Sequence, residues 1–565
     1  MLSIRKIGVL GRTYRHLNRY QRILRIFFKY GFGDLVETLK IEHYLEMGLQ
    51  LFSKRRREQI ERLTRAERIR MALEELGPTF IKLGQILSTR SDLIPLEYLQ
   101  ELSKLQDHIS PFPYEEAREI IKSETGKYPE ELFQHFETNP VAAASIGQVH
   151  RACLKDNDEV VVKVQRPGIQ KMIEVDLEIM FHLAGLMERH LEEVKVLRPT
   201  RIVEEFARSL EKEINYTTEA SHIENFARRF EDDDTVYVPR VFRELTTERI
   251  LTMEYVEGIK ASDVDLLRQD GYDLQRIARH GADLTMKQIF VHGFFHADPH
   301  PGNIFILPDN VVCYIDFGMM GRLSLQERED FADLVTELIR RDEKKIAHVL
   351  LRLTDYDEEP DKSQLERELA EFADEHLHSP LKEMRIGRLL LRLLEILTRH
   401  NLRLKPVFFL IIKALSTIEI LGRALDARFM LMTHAEPFVR SLHLNRLNPK
   451  RVAGDLIGSG TELLSLLSEI PGELRSILRQ AREGKVKMEF EHRGLDPLLF
   501  THDRTSNRIA FAIVLASLII GSSLIILSGV PPKWHEIPLI GLVGFVVAGV
   551  MGFWLLISIL RRGKM

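Results

Sequence analysis

The sequence predicts an α+β chain of two lobes: a small one built on strands and a large one mostly helical. A helical extension precedes them and two apolar helices follow. Three observations predict this. Short apolar runs rich in β-branched residues, at 159–168, 250–256, 304–307 and 311–315, have the length of strands. Residues 35–110 and 324–440 read instead as helices, amphipathic in the second stretch. Near the C-terminus, 19 uncharged residues (509–527) are followed by a turn at 530–536 and 23 more (538–560). At 1.5 Å per residue each run can cross a ~30 Å hydrocarbon core.

Composition sets few limits. A chain of 565 residues with 79 Lys+Arg against 83 Asp+Glu has room for two lobes plus appendages, and its balanced charge gives no sign of a nucleic-acid partner. The two cysteines, Cys153 and Cys313, sit in apolar strand-like runs and read as small buried residues of a reducing compartment. The first 34 residues are basic: Lys6, Arg12, Arg15, Arg19, Arg22 and Arg25 precede the first acid, Asp34. Interleaved with Ile7, Leu10, Leu17 and Leu24, they suit the surface of an anionic membrane. A transit peptide and a solvated helix are the rival readings.

In the extension, Gly77-Pro78 starts a new helix, with Pro in its first turn. That helix carries Lys82-Leu83-Gly84-Gln85, and on its own Lys82 reads as a surface lysine. From residue 139 the texture changes to strands. An Ala-rich loop, Ala142-Ala143-Ala144-Ser145, precedes one strand, and Lys163 lies in the next, among Val160, Val161, Val162 and Val164. This order, a small-residue loop over phosphates and then a strand lysine, is that of a kinase small lobe. Methyl groups on the loop keep its backbone farther from phosphate oxygens than glycines would. An ammonium among valines needs an anionic partner. Residues 210–220 are helical in propensity and offer Glu219, with Glu213 as competitor. Strands at 236–242 and 250–256 lead to Glu254-Tyr255-Val256, placed like an interlobe hinge whose backbone at Glu254 and Val256 could meet adenine.

The large lobe opens on the most informative stretch. Asp298 is followed five residues later by Asn303, and Asp316 lies in an Ile-Asp-Phe-Gly turn. Kinase-like phosphoryl transfer from ATP needs this array: a carboxylate beside the acceptor, then an amide oxygen and a second carboxylate on Mg²⁺. Ser324-Leu325-Gln326-Glu327 forms a capping box soon after Gly318, and no Ala-Pro-Glu follows. The long segment that displays a peptide acceptor is missing, which favours a small or membrane-borne acceptor, or water. Arg504 and Arg508 before the first C-terminal span, and Arg561, Arg562 and Lys564 after the second, put both ends on the cytoplasmic side. Gly544, Ala548 and Gly552 recur every four residues, a flat stripe for pairing either the two spans or two chains.

Together, Lys82-Leu83-Gly84-Gln85, Ala142 to Ser145, Val162-Lys163-Val164-Gln165-Arg166-Pro167-Gly168, and His296 to Asn303 with Asp316-Phe317-Gly318 resemble the UbiB family of atypical kinase-like proteins, also called ABC-one or ADCK. The match spans roughly residues 75–330, and the C-terminal hairpin is similar to that of bacterial members. The resemblance implies a bilobal protein-kinase-like fold and an ATPase or small-molecule kinase supporting ubiquinone biosynthesis. It also implies that the Lys82–Gln85 helix folds over the site, which makes Lys82 and Gln85 active-site residues. The family's E-x-D element falls on Glu213-Ile214-Asn215, where Asn215 replaces the acid. Some members carry the label of polyprenylphenol hydroxylase, but no flavin, haem or non-haem iron motif is visible here.

The expected segments are 1–34 (basic N-terminus), 35–125 (helical extension), 126–258 (small lobe), 259–440 (large lobe), 441–507 (connector) and 508–561 (transmembrane hairpin). The expected site has Asp298, Lys163, Glu219, Lys82 and Gln85 in catalytic roles. Ala142, Ala143, Ala144, Ser145, Lys163, Glu254 and Val256 are expected on the nucleotide, and Asn303 and Asp316 on Mg²⁺. The expected cofactors are ATP and Mg²⁺. The expected partners are membrane lipids and prenylated quinone precursors, other quinone-biosynthesis enzymes, and a second copy of the chain through the hairpin. The expected location is the inner (plasma) membrane, multi-pass, with the kinase-like domain on the cytoplasmic side. Two other functions fit the same residues: a nucleotide-sensing scaffold in which turnover is incidental, and a kinase for a soluble small molecule.

Overall fold

The computed structural model describes residues 14–33, 63–88, 90, 94–105, 110–190, 199–356, 359–376, 386–446, 496–534 and 537–562. Residues 1–13, most of the expected extension before 63, and the connector over 447–495 lie outside them. The chain divides into two units, Met1–Ala453 and Gly454–Met565.

The first unit begins with helices. They are α1 (Tyr14–Lys29), α2 (Arg65–Leu76), α3 (Pro78–Leu87), α4 (Leu96–Leu102) and α5 (Tyr114–Thr125), followed after four strands by α6 (Ile169–His190) and α7 (Pro199–Glu213). Thr64 and Glu67 close a capping box on α2, and Gly77 at φ 101° turns the chain directly into α3 with Pro78 at its first position. Tyr20, Ile23, Leu24 and Ile26 of α1, and Tyr30 just after it, are buried in a core shared with α2, α3, α6 and α7. Arg19 adds a 2.7 Å ion pair to the buried Asp176 of α6. The apolar side of this segment from Tyr20 onward, expected on a membrane surface, is used inside the protein instead.

The small lobe is a five-stranded sheet of β1 (Phe133–Phe136), β2 (Ala142–Ala143), β3 (Gly147–Leu154), β4 (Glu159–Gln165) and, after the short β5 (Val236–Tyr237), β6 (Ile250–Glu254). The order is β1-β3-β4-β6, with β2 on β3. Strand alternation sends Val160, Val162 and Val164 to one face, packed with Phe133, Ile120 and Ile121, and leaves Lys163 on the other. Since β4 lies between β3 and β6, Lys163 is on no edge, where a solvated lysine would be ordinary. The strand expected over 236–242 is shorter than predicted. After β5 only a bridge from Val241 to Met253 continues it.

The helix expected across 210–220 is broken. α7 ends at Glu213 and α8 (Tyr216–Arg229) starts anew, capped by Asn215, whose Oδ1 accepts from Thr217 N at 2.9 Å. Asn caps as well as Asp does. That is the use this chain makes of the residue standing where the family motif has an acid.

In the large lobe, β7 (Ile259–Lys260) and α9 (Leu274–Met286) lead to β8 (Phe294–His296), and β9 (Ile304–Leu307) and β10 (Val311–Tyr314) form a hairpin. Asp309 (φ 61°) and Asn310 (φ 63°) make its turn, residue types that tolerate the left-handed region. β11 (Met320–Arg322) pairs back onto β8, and α10 (Leu325–Arg340) follows at once behind its Ser324–Glu327 capping box. Then come α11 (Glu343–Leu353), α12 (Lys362–His376), α13 (Ile386–Arg399), α14 (Pro406–Leu425) and α15 (Leu431–Arg446), around a core that includes Phe331, Phe408, Ile411 and Leu415. Glu419 of α14 is buried and accepts from the backbone N–H groups of Ile386 and Gly387, fixing α14 to the start of α13.

The second unit is a helical hairpin of α16 (Asp496–Ser528) and α17 (Leu539–Arg562). Among the described residues one helix, Ile509–Ser528, is long and apolar enough to cross a membrane, with mean hydropathy 2.7. That helix meets one of the two expected spans, and in α17 the residues Leu539–Phe553 form an apolar run. A Cβ on Gly544 would stand 2.2 Å from Ser522 Oγ, and one on Gly552 would stand 3.5 Å from Leu515. Gly544 and Gly552 of the small-residue stripe thus face the other helix of the same chain.

One glycine sets how closely the extension packs. A Cβ on Gly84 of α3 would lie 2.2 Å from Leu105 Cδ1 and 3.0 Å from Leu73 Cδ1. Gly84→Val is expected to destabilise the purified protein by about 1–3 kcal/mol. Gly185→Ala, in α6 with no atom within 4 Å of the new methyl, is expected to gain about 0.5–1 kcal/mol. Thermal melting of the two variants checks both signs.

Candidate active site

Lys163 points from the centre of the small-lobe sheet into the space beneath it. Its Nζ lies 3.0 and 2.9 Å from the two oxygens of Glu219, the first acid of α8. Glu219 and not Glu213 is its partner because the break at Asn215 rotates α8 away from α7. Gln165 Nε2 secures that break by donating to the Ile214 carbonyl at 2.7 Å. Burial alone would lower the pKa of the Lys163 ammonium, but Glu219 and then Asp316 outweigh it and hold it above the ordinary lysine value. Burial lifts the Glu219 carboxyl, and Lys163 pulls it back. The Tyr216 ring lies 5.2 Å from the same Nζ, a cation–π contact.

From below, the turn after β10 supplies Asp316. Lys163 is the largest influence on its carboxyl and, against burial and with help from the Gly318 N–H, holds it at about 2. Gly318 N donates to Asp316 Oδ1 at 2.9 Å. His296 clips this turn to the catalytic loop. Its Nδ1 accepts from Asp298 N at 3.2 Å, so Nε2 carries the proton and donates to the Asp316 carbonyl at 2.5 Å. Burial keeps the imidazole neutral by lowering its pKa. The Asn303 carbonyl accepts from Ile315 N at 3.1 Å, a second tie between loop and turn.

These groups line one cavity of about 170 Å³. Ala144, Ser145 and Ile146 reach it from the loop before β3, with Gly147 at the start of that strand, and Lys82 and Gln85 of α3 and its C-cap Ser88, with Leu102, Ser103 and Leu105, roof it. Lys82 Nζ pairs with Glu213 at 2.5 Å, and Gln85 Nε2 donates to the Leu105 carbonyl at 3.3 Å. Three lysines therefore face four carboxylates across the site: Lys82, Lys163 and Lys413 against Glu213, Glu219, Asp298 and Asp316. Such a lining leaves room for a metal cation before a polyphosphate.

Of the residues expected on the nucleotide, Ala142 and Ala143 form β2 and pair with Val149 and Gln148, outside the lining. Glu254 and Val256 are outside it as well. Glu254 N donates to the Arg240 carbonyl at 2.8 Å, and its side chain accepts from Tyr237 Oη at 2.6 Å. Neither alanine nor the acid is presented to the cavity.

Sequence reasoning missed three contributors. Lys413 Nζ lies 3.2 Å from Asp298 Oδ2, and the signal was there: a lone cation within the apolar run of α14. Tyr216 was readable only as part of a helix. His296 lay within the catalytic stretch without a role. Ser145 Oγ and Tyr216 Oη are buried at the cavity without a hydrogen-bond partner. Such groups cost about 1–3 kcal/mol each unless a ligand completes them.

Asn303 and Asp316 are hard oxygen donors, and among the described residues no cluster of three or more His, Cys, Asp or Glu competes with them. Mg²⁺ commonly takes one or two protein ligands plus phosphates and waters. The donor set fits it.

Three family models match the chain: the ABC1 atypical kinase-like domain over residues 104–350, the UbiB helical domain over 369–430 and the ABC1/UbiB kinase-like C-terminal domain over 493–561. A Clostridium pasteurianum protein described only by its place beside hydrogenase 1 is 32% identical over 547 residues, 97% of this chain and 99% of that one. A "Probable protein kinase UbiB" of Marinobacter nauticus is 34% identical, covering 82% of this chain and 86% of its own. Another, of Xanthomonas campestris, is 32% identical, covering 96% and 99%. Among solved structures, the complex of Mycobacterium tuberculosis Rv3197 with erythromycin is 23% identical over 61% of this chain and 90% of that one, at a TM-score of 0.43. The family models and the UbiB relatives of Marinobacter nauticus and Xanthomonas campestris show that the chain belongs to the ABC1/UbiB family of atypical kinase-like proteins.

Proposed function

We propose that the chain is a membrane-anchored, ATP-dependent enzyme, an ATPase or small-molecule phosphotransferase that supports ubiquinone (polyprenyl quinone) biosynthesis by acting on or extracting lipid precursors. The observation that carries this reading is the convergence of Lys163, Asp298, Asn303 and Asp316 on one cavity, with Lys163 held between Glu219 and Asp316. The roof of α3 and α4 supports a small or lipid acceptor over a polypeptide. Ile509–Ser528 supports the anchor, and the basic residues flanking both C-terminal runs support two crossings with the kinase-like unit in the cytoplasm.

In this reading Lys163 binds the α- and β-phosphates, and Ser145 and Tyr216 complete their hydroxyl bonding on the phosphate oxygens. Val256 meets adenine, because the Glu254 N–H is already paired. Asn303 and Asp316 hold Mg²⁺, which neutralises phosphate charge when bound. The acceptor oxygen forms a bond to the γ-phosphorus as the bond to the β–γ bridging oxygen breaks, and ADP leaves with that electron pair. The acceptor's proton passes to Asp298. The closed roof, with its Lys82–Glu213 pair, also favours a second reading in which nucleotide binding moves α3 and the chain acts as a sensor within a quinone-synthesis assembly.

Binding of Mg²⁺-ATP and phosphate release from the purified chain in lipid test this. Lys163→Met and Asp316→Ala are expected to weaken binding at least about tenfold, while Asp298→Asn keeps it and slows release about 10²-fold. Binding that keeps its Mg²⁺ dependence in Asp316→Ala would overturn the metal assignment.

Asp316, at about 2, loses its charge only as pH falls towards that value. Lys163, raised, keeps its proton beyond the ordinary lysine range. Affinity is therefore expected to stay flat from about pH 7 to about pH 9, as titrations across that window would show.

A deletion strain is expected to lose quinone and accumulate prenylated aromatic precursors on lipidomics. Rescue by Asp298→Asn would select the sensor reading.

A further inference from the structure

We propose that Lys413 is a working part of the phosphoryl-transfer site: it orients the Asp298 carboxylate and donates to the transferring phosphoryl group. The helical segment after the kinase-like region would then complete the site. The proposal rests on the ATP-using reading above.

The geometry is specific. Lys413 Nζ stands 3.2 Å from Asp298 Oδ2 and faces the same cavity as Lys163, Asn303 and Asp316. Among the described residues it is the one cation paired with Asp298. The catalytic loop itself, Asp298-Pro299-His300-Pro301-Gly302-Asn303, brings no lysine or arginine. His300 is exposed, and its Nδ1 accepts from Gly302 N.

Lys413 is held where it is by its helix. Phe409, Ile411, Ile412, Ala414 and Leu415 are buried around it, and Glu419, two turns on, is fixed to the start of α13. Rotation of α14 would expose those apolar groups, so the ammonium cannot drift like that of a surface lysine. Stability does not explain the choice of residue. The Asp298 side chain is 41% exposed and that of Lys413 25%, and pairs this open contribute little to folding.

Chemistry does explain it. In the transition state charge spreads over the equatorial oxygens of the phosphoryl group, while Asp298 takes the acceptor's proton and loses its own charge. The hold of Asp298 on the ammonium weakens at the moment the phosphoryl oxygens need a donor. An interaction that strengthens only then raises turnover more than substrate binding. Lys163, tied by both oxygens of Glu219, is placed for the ground-state phosphates instead.

The test uses the full-length chain in lipid, with Mg²⁺-ATP as probe, reading nucleotide affinity, phosphate release and melting temperature separately. For Lys413→Met the expected result is affinity within about threefold of wild type and release slowed about 10²-fold. Melting stays unchanged, and Lys413→Arg recovers part of the rate. Release by Lys413→Met within about threefold of wild type overturns the proposal. So does parallel loss of melting temperature, affinity and rate in both variants, which would make Lys413 a packing residue. A wild-type chain that binds no nucleotide overturns the underlying reading first and this role with it, and the wild-type control separates that result from the others.

Discussion

An ammonium set among valines under a sheet has to be surrounded by carboxylates, and much of this molecule's geometry answers that requirement. Lys163 takes both oxygens of Glu219, which demands that α8 dock against the sheet at one angle. That angle comes from the Asn215 cap and from Gln165 holding the Ile214 carbonyl. Asp316 supplies the second negative charge from the opposite lobe, and His296 ties its turn to the loop of Asp298. The two lobes are therefore joined through the site itself, by charges that neither could bury alone. Breaking such a pair from one side typically costs 3–5 kcal/mol, more than most surface features of a fold this size.

The helical segments on either side of the kinase-like region belong to the same construction. α3 approaches closely enough to roof the cavity because residue 84 is glycine, and its Lys82 is neutralised by Glu213 from the end of α7. The two glutamates, six residues apart in sequence, serve two lysines from two directions. From the other side α14 brings Lys413. The cleft of an ordinary kinase shape is thus closed by elements the bare lobes lack, and the cavity that results suits a small, charged ligand.

Much of this was legible in the sequence. The spacing of Asp298, Asn303 and Asp316, and a lysine alone among valines, are local signals with few alternative causes. What was not legible depends on distance or direction. Glu219 was the expected partner of Lys163 over Glu213 and is its partner in the structure, but the break in the helix at Asn215 that makes it so was not foreseen. Ala142 and Ala143 belonged to the right loop but became strand, because pairing with β3 claimed them. The Glu254 N–H, one of the backbone groups expected at adenine, is taken by the Arg240 carbonyl, a pairing that depends on strand geometry rather than on local sequence. The amphipathic look of α1 could not distinguish a bilayer from a neighbouring helix, and the neighbour was α6.

The link from Gly318 through β11 to the Ser324 cap is short, and β11 is paired onto β8 along its length. In many kinases the corresponding stretch is a long loop whose covalent modification turns the enzyme on or off. Here it is a strand stitched into a sheet, with no slack to swing. The helices that cover the cavity are the parts of the site left with room to move.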